Sequence, residues 1–474
     1  MPLASRPAGP AFAKAIGMAD CRSAGRGSGK AGMRWLKGFG VGLLVVVLVL
    51  AALWTWSRLR GPTPAQRAAL GLLETPNVFE GRNAFDPIWV LPYDVPEAEI
   101  TAVVDADMQA LAEARREPDG PLVFTSAAER YRDLSPVNGA VAPCGFGGAD
   151  CLAKVSAAFD DYAALVQANA RLIERVEALS AYGHHATRQP TDQRAPLPAF
   201  PLLAWPVTAH AVQFISGEQV PAVEATCRDL AGWRRVGTHS DTLLMRMESV
   251  SLVTDGYGAL LARMLAAMPR DTPLPSSCEA ALAPPSAVDA SICPAVRGEF
   301  AWSMGVSETL PGMRKHDAWS WLVLDGDGFR ALMAERLAPP CLDQAARLAA
   351  DQRLAAMAMT PPAWRRLECV ANISGCILAD IAGPAYASYP WRAQDQNARL
   401  QLLATLAWLR DQPDDGTLAE RLARRPAALR SASRDIMLGA DGRSLEIAQY
   451  DTSRGETWSL PLPGYPAEAT PAPD

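Results

Sequence analysis

The sequence predicts a mainly α protein: one N-terminal transmembrane helix, an irregular multi-helix bundle or solenoid-like body, and a small C-terminal β-hairpin or meander. Three observations predict it. Residues 38–57 are twenty in a row without a charge. Beyond them, apolar side chains recur every three or four positions, the period of helices with one buried face. Near the C-terminus Ile436-Met437-Leu438 and Leu445-Glu446-Ile447 flank the turn Gly439-Ala440-Asp441-Gly442, and residues 456–462 supply a third short strand.

The uncharged run comes first. At 1.5 Å per residue it makes a helix of about 30 Å, the thickness of a bilayer's hydrocarbon core. Trp35 stands at one end and Trp54 and Trp56 at the other, where indoles settle among headgroups. These three are the expected membrane-interface anchors. A cleaved signal peptide would have a shorter apolar stretch, followed by small residues. Leu53, Trp54, Thr55 and Trp56 occupy that place instead, so an uncleaved signal anchor is expected.

Orientation follows from charge. Residues 1–37 carry Arg6, Lys14, Arg22, Arg26, Lys30, Arg34 and Lys37 against one acid, Asp20. Basic segments stay on the cytoplasmic side, which puts the N-terminus in the cytoplasm and the bulk in the periplasm of a bacterial inner membrane. Only five of the 45 basic residues are lysine, a bias that suits a GC-rich bacterial genome. Residues 1–32 show no apolar period, and Met33-Arg34-Trp35-Leu36-Lys37 reads as the opening of an ordinary anchor. Translation from Met33 or Met18 would make those residues a mis-assigned extension.

Beyond residue 37 there are 38 basic and 50 acidic side chains, so a nucleic-acid partner is not expected, since phosphate binding needs a positive face. Membrane lipid, met through one helix, and an envelope protein are the expected partners.

Eight of the nine cysteines follow the anchor: Cys144, Cys151, Cys227, Cys278, Cys293, Cys341, Cys369 and Cys376. An even number is what an oxidising compartment predicts. Short loops favour Cys144–Cys151, Cys369–Cys376 and Cys278–Cys293, leaving Cys227–Cys341 as a long bridge. Zinc at Cys144 and Cys151 fits poorly, because the spacing is too wide and no histidine is near.

The segments are a cytoplasmic stretch 1–37, the anchor 38–57, a disulfide-stapled helical body 58–432, the hairpin or meander 433–462 and a disordered tail 463–474. Within the body, Leu152, Val155, Phe159, Tyr162, Val166, Ile173 and Val176 predict one amphipathic helix of about thirty residues, with Asn169 in its stripe. Asp94 with Pro96 predicts a helix start, running towards Arg116. Ser240 or Asp241 predicts another, stopped by Pro269. Further helices are expected near 207–235, 286–304, 341–358 and 393–410. Pro-rich breaks fall at 189–201, 269–285 and 360–362. Asn77 to Pro96 is dense in apolar residues without a helical period, which predicts a strand-like insert docked on the body, with a partner patch near the membrane surface as the alternative. Trp302, Trp319 and Trp321 are expected in a tryptophan-rich core, with a ligand groove as the alternative.

No motif carries chemistry. His184 and His185 follow Gly183 and read as a surface pair at a helix end. Asp325-Gly326-Asp327-Gly328 fails as a calcium loop, because position twelve is Arg336; it reads as the cap of a helix over 329–335. Ala301-Trp302-Ser303-Met304-Gly305 lacks the first glycine of a nucleophile elbow. Asp160 and Asp161 face solvent. No catalytic residue can be assigned, and no cofactor or metal is expected. The expected role is a binding or scaffold component of the cell envelope. The alternative is an envelope hydrolase whose site is assembled from dispersed His and Asp/Glu residues. A cleft bringing His184, His210 or His239 within hydrogen-bond reach of a carboxylate would favour the enzyme; an apolar groove without a perturbed polar cluster would favour the binder.

Overall fold

A computed structural model describes residues 29–115, 122–192, 194–307, 320–342, 344–357 and 366–462. The expectations for residues 1–28, the 360–362 break, Trp319 and the 463–474 tail lie outside the described residues. The chain divides into two compact units, Met1–Trp56 and Ser57–Asp474. The first unit's described part, residues 29–56, lies wholly in α1 (Gly29–Leu59), whose aliphatic side chains from Val41 to Leu50 are exposed. Among the described residues, Lys37–Leu59 is long and apolar enough to cross a membrane.

The body is mainly helical, as its periodicity predicts. The Ser57 hydroxyl donates to Glu368 O at 2.9 Å and accepts from Ala371 N at 3.1 Å. α2 (Pro64–Leu73) opens with a capping box in which Thr63 and Gln66 satisfy each other's backbone N–H groups. α3 (Phe85–Trp89) and α4 (Ile100–Ala114) share a small core of Phe85, Val90, Val95, Val103 and Val104. The 77–96 segment docks on the body through isolated bridges from Asn83 to His184 and Tyr93 to Asp133. Asp94 is not the predicted cap. Its carboxylate accepts from Arg171 at 2.9 Å, and the helix starts with a 3-10 turn, Glu97–Glu99, after Pro96.

The single helix expected from Leu152 to Val176 is three: α5 (Gly148–Ala157), α6 (Phe159–Ala168) and α7 (Ala170–Glu177). Asn169 explains the second break. Its side chain accepts from Val137 N at 2.8 Å and donates to Val137 O and Leu165 O at 3.1 and 2.9 Å. The polar residue in the stripe ties down a loop instead of continuing the helix.

The predicted 207–235 element is also divided, into α8 (Trp205–Ile215) and α9 (Gln219–Thr238), with Gly217 at φ +103° between them. Next come α10 (Leu243–Ser251), a π-helical stretch over Leu252–Gly258, and α11 (Ala259–Ala267). Thr242, not Ser240 or Asp241, caps α10 by accepting from Met245 N at 3.2 Å. α9 is buried on almost every side, between α8, α10, α12 (Ser277–Ala281) and the π-helical stretch. Gly237 allows the contact with α10, since a Cβ there would lie 1.8 Å from the Ser249 hydroxyl.

α13 (Cys293–Ser307), α14 (Gly326–Leu337), α15 (Gln344–Ala349), α16 (Ile373–Tyr386), α17 (Tyr389–Arg410) and α18 (Leu418–Ala423) complete the helices. α15 is shorter than the helix expected over 341–358, because Asp351 turns left-handed at φ +43°. Asp325 precedes α14 without a side-chain capping bond and lies 3.4 Å from Arg58 instead.

The cysteines pair as Cys144–Cys151, Cys227–Cys278, Cys293–Cys341 and Cys369–Cys376. Two of the three short-loop pairings form, Cys144–Cys151 and Cys369–Cys376; Cys278–Cys293 and the long Cys227–Cys341 do not. Helix packing overrides loop length here. α12 lies against α9 and brings the Cys278 Cα within 4.8 Å of Cys227, while Cys293 opens α13 beside the Pro339–Cys341 turn.

The C-terminal strands are an antiparallel meander of β1 (Ile436–Leu438), β2 (Ser444–Ala448) and β3 (Thr457–Pro461). Ile436 faces Ile447 and Leu445 faces Leu460, all buried in the main core with α17. Arg434 fastens the sheet by pairing with Asp395 on α17 and with Asp351, each at 2.7 Å.

Candidate functional site

Among the described residues two places in the body stand out as candidate sites, an apolar cleft with a few polar groups and a buried polar cluster. The first is a cleft of about 420 Å³. α13 supplies Gly298, Glu299 and Trp302, and the α16–α17 junction supplies Tyr386 and Tyr389. The Pro-rich 189–201 segment covers one side with Pro190, Leu197 and Pro198, and Thr242 and Leu244 at the head of α10 line another. Trp302 is 39% exposed and Trp321 more so, which corrects the expectation of a tryptophan core.

Within this apolar lining Glu299 is the notable group. The Tyr386 phenol donates to its carboxyl at 3.0 Å, and Tyr389 meets Tyr386 edge-on at 5.6 Å between ring centres. Burial raises the Glu299 carboxyl above its usual range, although the Tyr386 bond opposes this. Burial also pushes the Tyr386 phenol well up, with the charge of Glu299 adding to it. Asp192, also lining the cleft, is held below the usual carboxylate range by the Arg194 guanidinium, which donates to it at 2.7 Å.

His185 belongs to this cleft and is not a surface residue. Its ring is buried 5.8 Å from Phe85, with Nδ1 3.7 Å from Asp241, and neither ring nitrogen has a hydrogen-bond partner among the described residues. The chain turns His184 the other way. Half-buried, it stacks on Phe79 at 5.2 Å. His239 accompanies the same phenylalanine and contacts Arg235 O at the end of α9.

The second place lies among α7, α8 and α9. His210 Nε2 is 3.1 Å from Glu177 Oε1 and 3.5 Å from Asp229 Oδ2. His210 is therefore the one predicted histidine, among those described, that meets the carboxylate criterion, yet it is 1% exposed and lies outside the cleft. Burial pushes the Asp229 carboxyl up to about 6 against the pull of His210 and Arg228. Burial acts on Glu177 in the same sense, but the bond and charge of His210, with Arg228, hold that carboxyl below its usual range. Sequence reasoning missed this cluster, because its members come from three helices and share no short motif.

Asp160 and Asp161 are exposed on α6, as their adjacency implies. Ser303 sits inside α13 and not at a strand-to-helix turn. No family model, curated protein or solved structure matches the chain, so function rests on these side chains themselves.

Proposed function

We propose that this chain is a single-pass binding component of a bacterial envelope. α1 is its uncleaved signal anchor, the N-terminus stays in the cytoplasm, and the disulfide-stapled body works in the periplasm. Partner recognition is assigned to the cleft between α13, the α16–α17 junction and the 189–201 segment. The carrying observation is the lining: aromatic and proline side chains around the half-buried Glu299 carboxyl and its two tyrosines, with the Arg194-paired Asp192 at another side. Sites of this size that bind ligands are mostly apolar, with a few placed polar groups that set orientation. A partner's aromatic or aliphatic side chain, with a donor to meet Glu299, fits that chemistry. The moderate excess of basic residues in 1–37, and four disulfides beyond α1, support the orientation.

The hydrolase reading has one observation in its favour, the contact of His210 with two carboxylates. The imidazole is buried away from the cleft, so the binding reading is preferred.

Site-specific photo-crosslinking in native membranes tests the choice. A photoreactive residue at Trp302 is expected to give a discrete adduct that one at exposed Val288 does not, and Leu244→Arg in the same cleft is expected to abolish it. Equal labelling at both positions, or none at Trp302, would count against the cleft.

A further inference from the structure

We propose that Glu177, His210 and Asp229 form a binding site for one divalent first-row transition-metal ion, with zinc as its natural probe. The inference is independent of the cleft and concerns a different part of the body.

The donor geometry comes first. Each residue offers one ligand atom, and the three atoms lie within 4.8 Å of one another. His210 Nε2 stands 3.1 Å from Glu177 Oε1 and 3.5 Å from Asp229 Oδ2. Zinc bonds of about 2.0–2.2 Å in a tetrahedron put neighbouring donors roughly 3.4 Å apart. Only small adjustments are needed.

The proton inventory gives the second argument. Thr226 Oγ1 donates its single hydrogen to Ala222 O, four residues back, at 2.7 Å. Ala222 O is the shortest of that hydroxyl's contacts, Met264 Sδ being 3.6 Å away, so the 3.3 Å contact with His210 Nδ1 is assigned as Nδ1–H donating to the hydroxyl oxygen. With Nδ1 so engaged, Nε2 is the ring nitrogen that faces the two carboxylate oxygens. Three possible ligand atoms converge there, around a position that an electropositive centre would fill. A metal-bound histidine is commonly held in this way, through a hydrogen bond from its other nitrogen.

Arg228 supplies the third. Its Nε donates to Asp229 Oδ1 at 3.0 Å, and its Nη2 lies 3.7 Å from Glu177 Oε2. The guanidinium takes the outer oxygen of each carboxylate and leaves the inner ones turned towards Nε2. Asp229 Oδ2 has no hydrogen-bond partner, although the side chain is 1% exposed. An unpaired carboxylate oxygen in such a place costs free energy unless something meets it. Glu177 and Arg228 are 30% and 46% exposed, so the cluster has a solvent-facing side by which an ion can enter and keep a water ligand.

One imidazole with two carboxylates suits zinc, manganese or ferrous iron, whereas calcium and magnesium prefer oxygen throughout. The rival occupant of the gap is a proton, which would make His210 an imidazolium between two anions.

The test uses the full chain, oxidised, without a polyhistidine tag, purified in detergent and stripped with chelator. Titration with zinc or cobalt is expected to load one ion per chain, and bound cobalt to show the visible bands of a low-coordinate site. Glu177→Gln and Asp229→Asn are expected to lose the ion. Thr226→Val keeps all three donors and is expected to weaken binding by about 10–100-fold. Near-ultraviolet dichroism checks that each variant is folded, and the wild-type cobalt spectrum is informative without any variant. Folded wild-type protein that takes up no zinc or cobalt would overturn the proposal in favour of the proton. Stoichiometric uptake that Glu177→Gln and Asp229→Asn leave unchanged would overturn it by placing the ion elsewhere.

Discussion

The Tyr386 hydroxyl donates to the Glu299 carboxyl at 3.0 Å, joining the end of α16 to the middle of α13 at the floor of the apolar cleft. The bond favours the ionised carboxyl, but burial outweighs it and the carboxyl is held above its usual range. The folded state therefore binds this proton more tightly than the unfolded chain does. The stability it contributes is complete below the ordinary glutamate range. It is lost as the pH rises through the raised value. Glu299→Gln removes the titration and keeps an acceptor for Tyr386. Thermal melts from pH 4 to pH 8 should show the variant more stable than wild type at neutral pH, with the gain disappearing on acidification. A gain independent of pH would contradict the burial argument.

Gly298 sets the other wall. A Cβ there would fall 1.7 Å from Asp241 O, where the backbone entering α10 presses on α13. Gly298→Ala should cost about 1–3 kcal/mol as an overpacking change, measured by denaturant unfolding. It should also weaken crosslinking from Trp302, because α13 must move.

The hydroxyl of Thr242 accepts from Met245 N at the same corner. Thr242→Ala should cost about 1 kcal/mol and Thr242→Asn much less, because asparagine caps as well. Asp241→Ala should not imitate the loss of a cap, since that carboxylate accepts from Thr187 N instead.

The disulfides should differ in worth. Cys227–Cys278 closes a separation of 51 residues and Cys144–Cys151 one of 7. Denatured-state entropy assigns them about 4 and about 2 kcal/mol. Replacing each pair by serine and measuring unfolding without reductant should reproduce that order. The reverse order would mean that the short bridge carries strain relief or packing that loop closure omits.

How far the sequence could be read depended on the range of the physics. Whatever is set within a turn or two was legible: the uncharged run of α1, the stop at Pro269, the Gly439–Gly442 reversal between β1 and β2, and the solvent-facing Asp160 and Asp161. Where a distant segment decided the outcome, the reading failed. Asn169 breaks a well-patterned helix because Val137 offers it two hydrogen bonds. Cys278 bonds Cys227 because α12 packs on α9. His185 looked like one of a surface pair but is buried beside Phe85, once the chain bridges to Ser240. The candidate sites were invisible for the same reason, since Glu299 and Tyr386, and Glu177, His210 and Asp229, meet only through helix packing.

If the proposed orientation holds, everything past α1 folds in an oxidising compartment and its eight cysteines are paired there. The chain should be alkylated in its native membranes, digested without reduction and mapped by mass spectrometry. Linked peptides containing Cys227 with Cys278 and Cys293 with Cys341, and no alkylated thiol beyond residue 56, are the predicted result. Eight alkylated cysteines in the folded, membrane-bound chain would contradict the compartment and the role built on it.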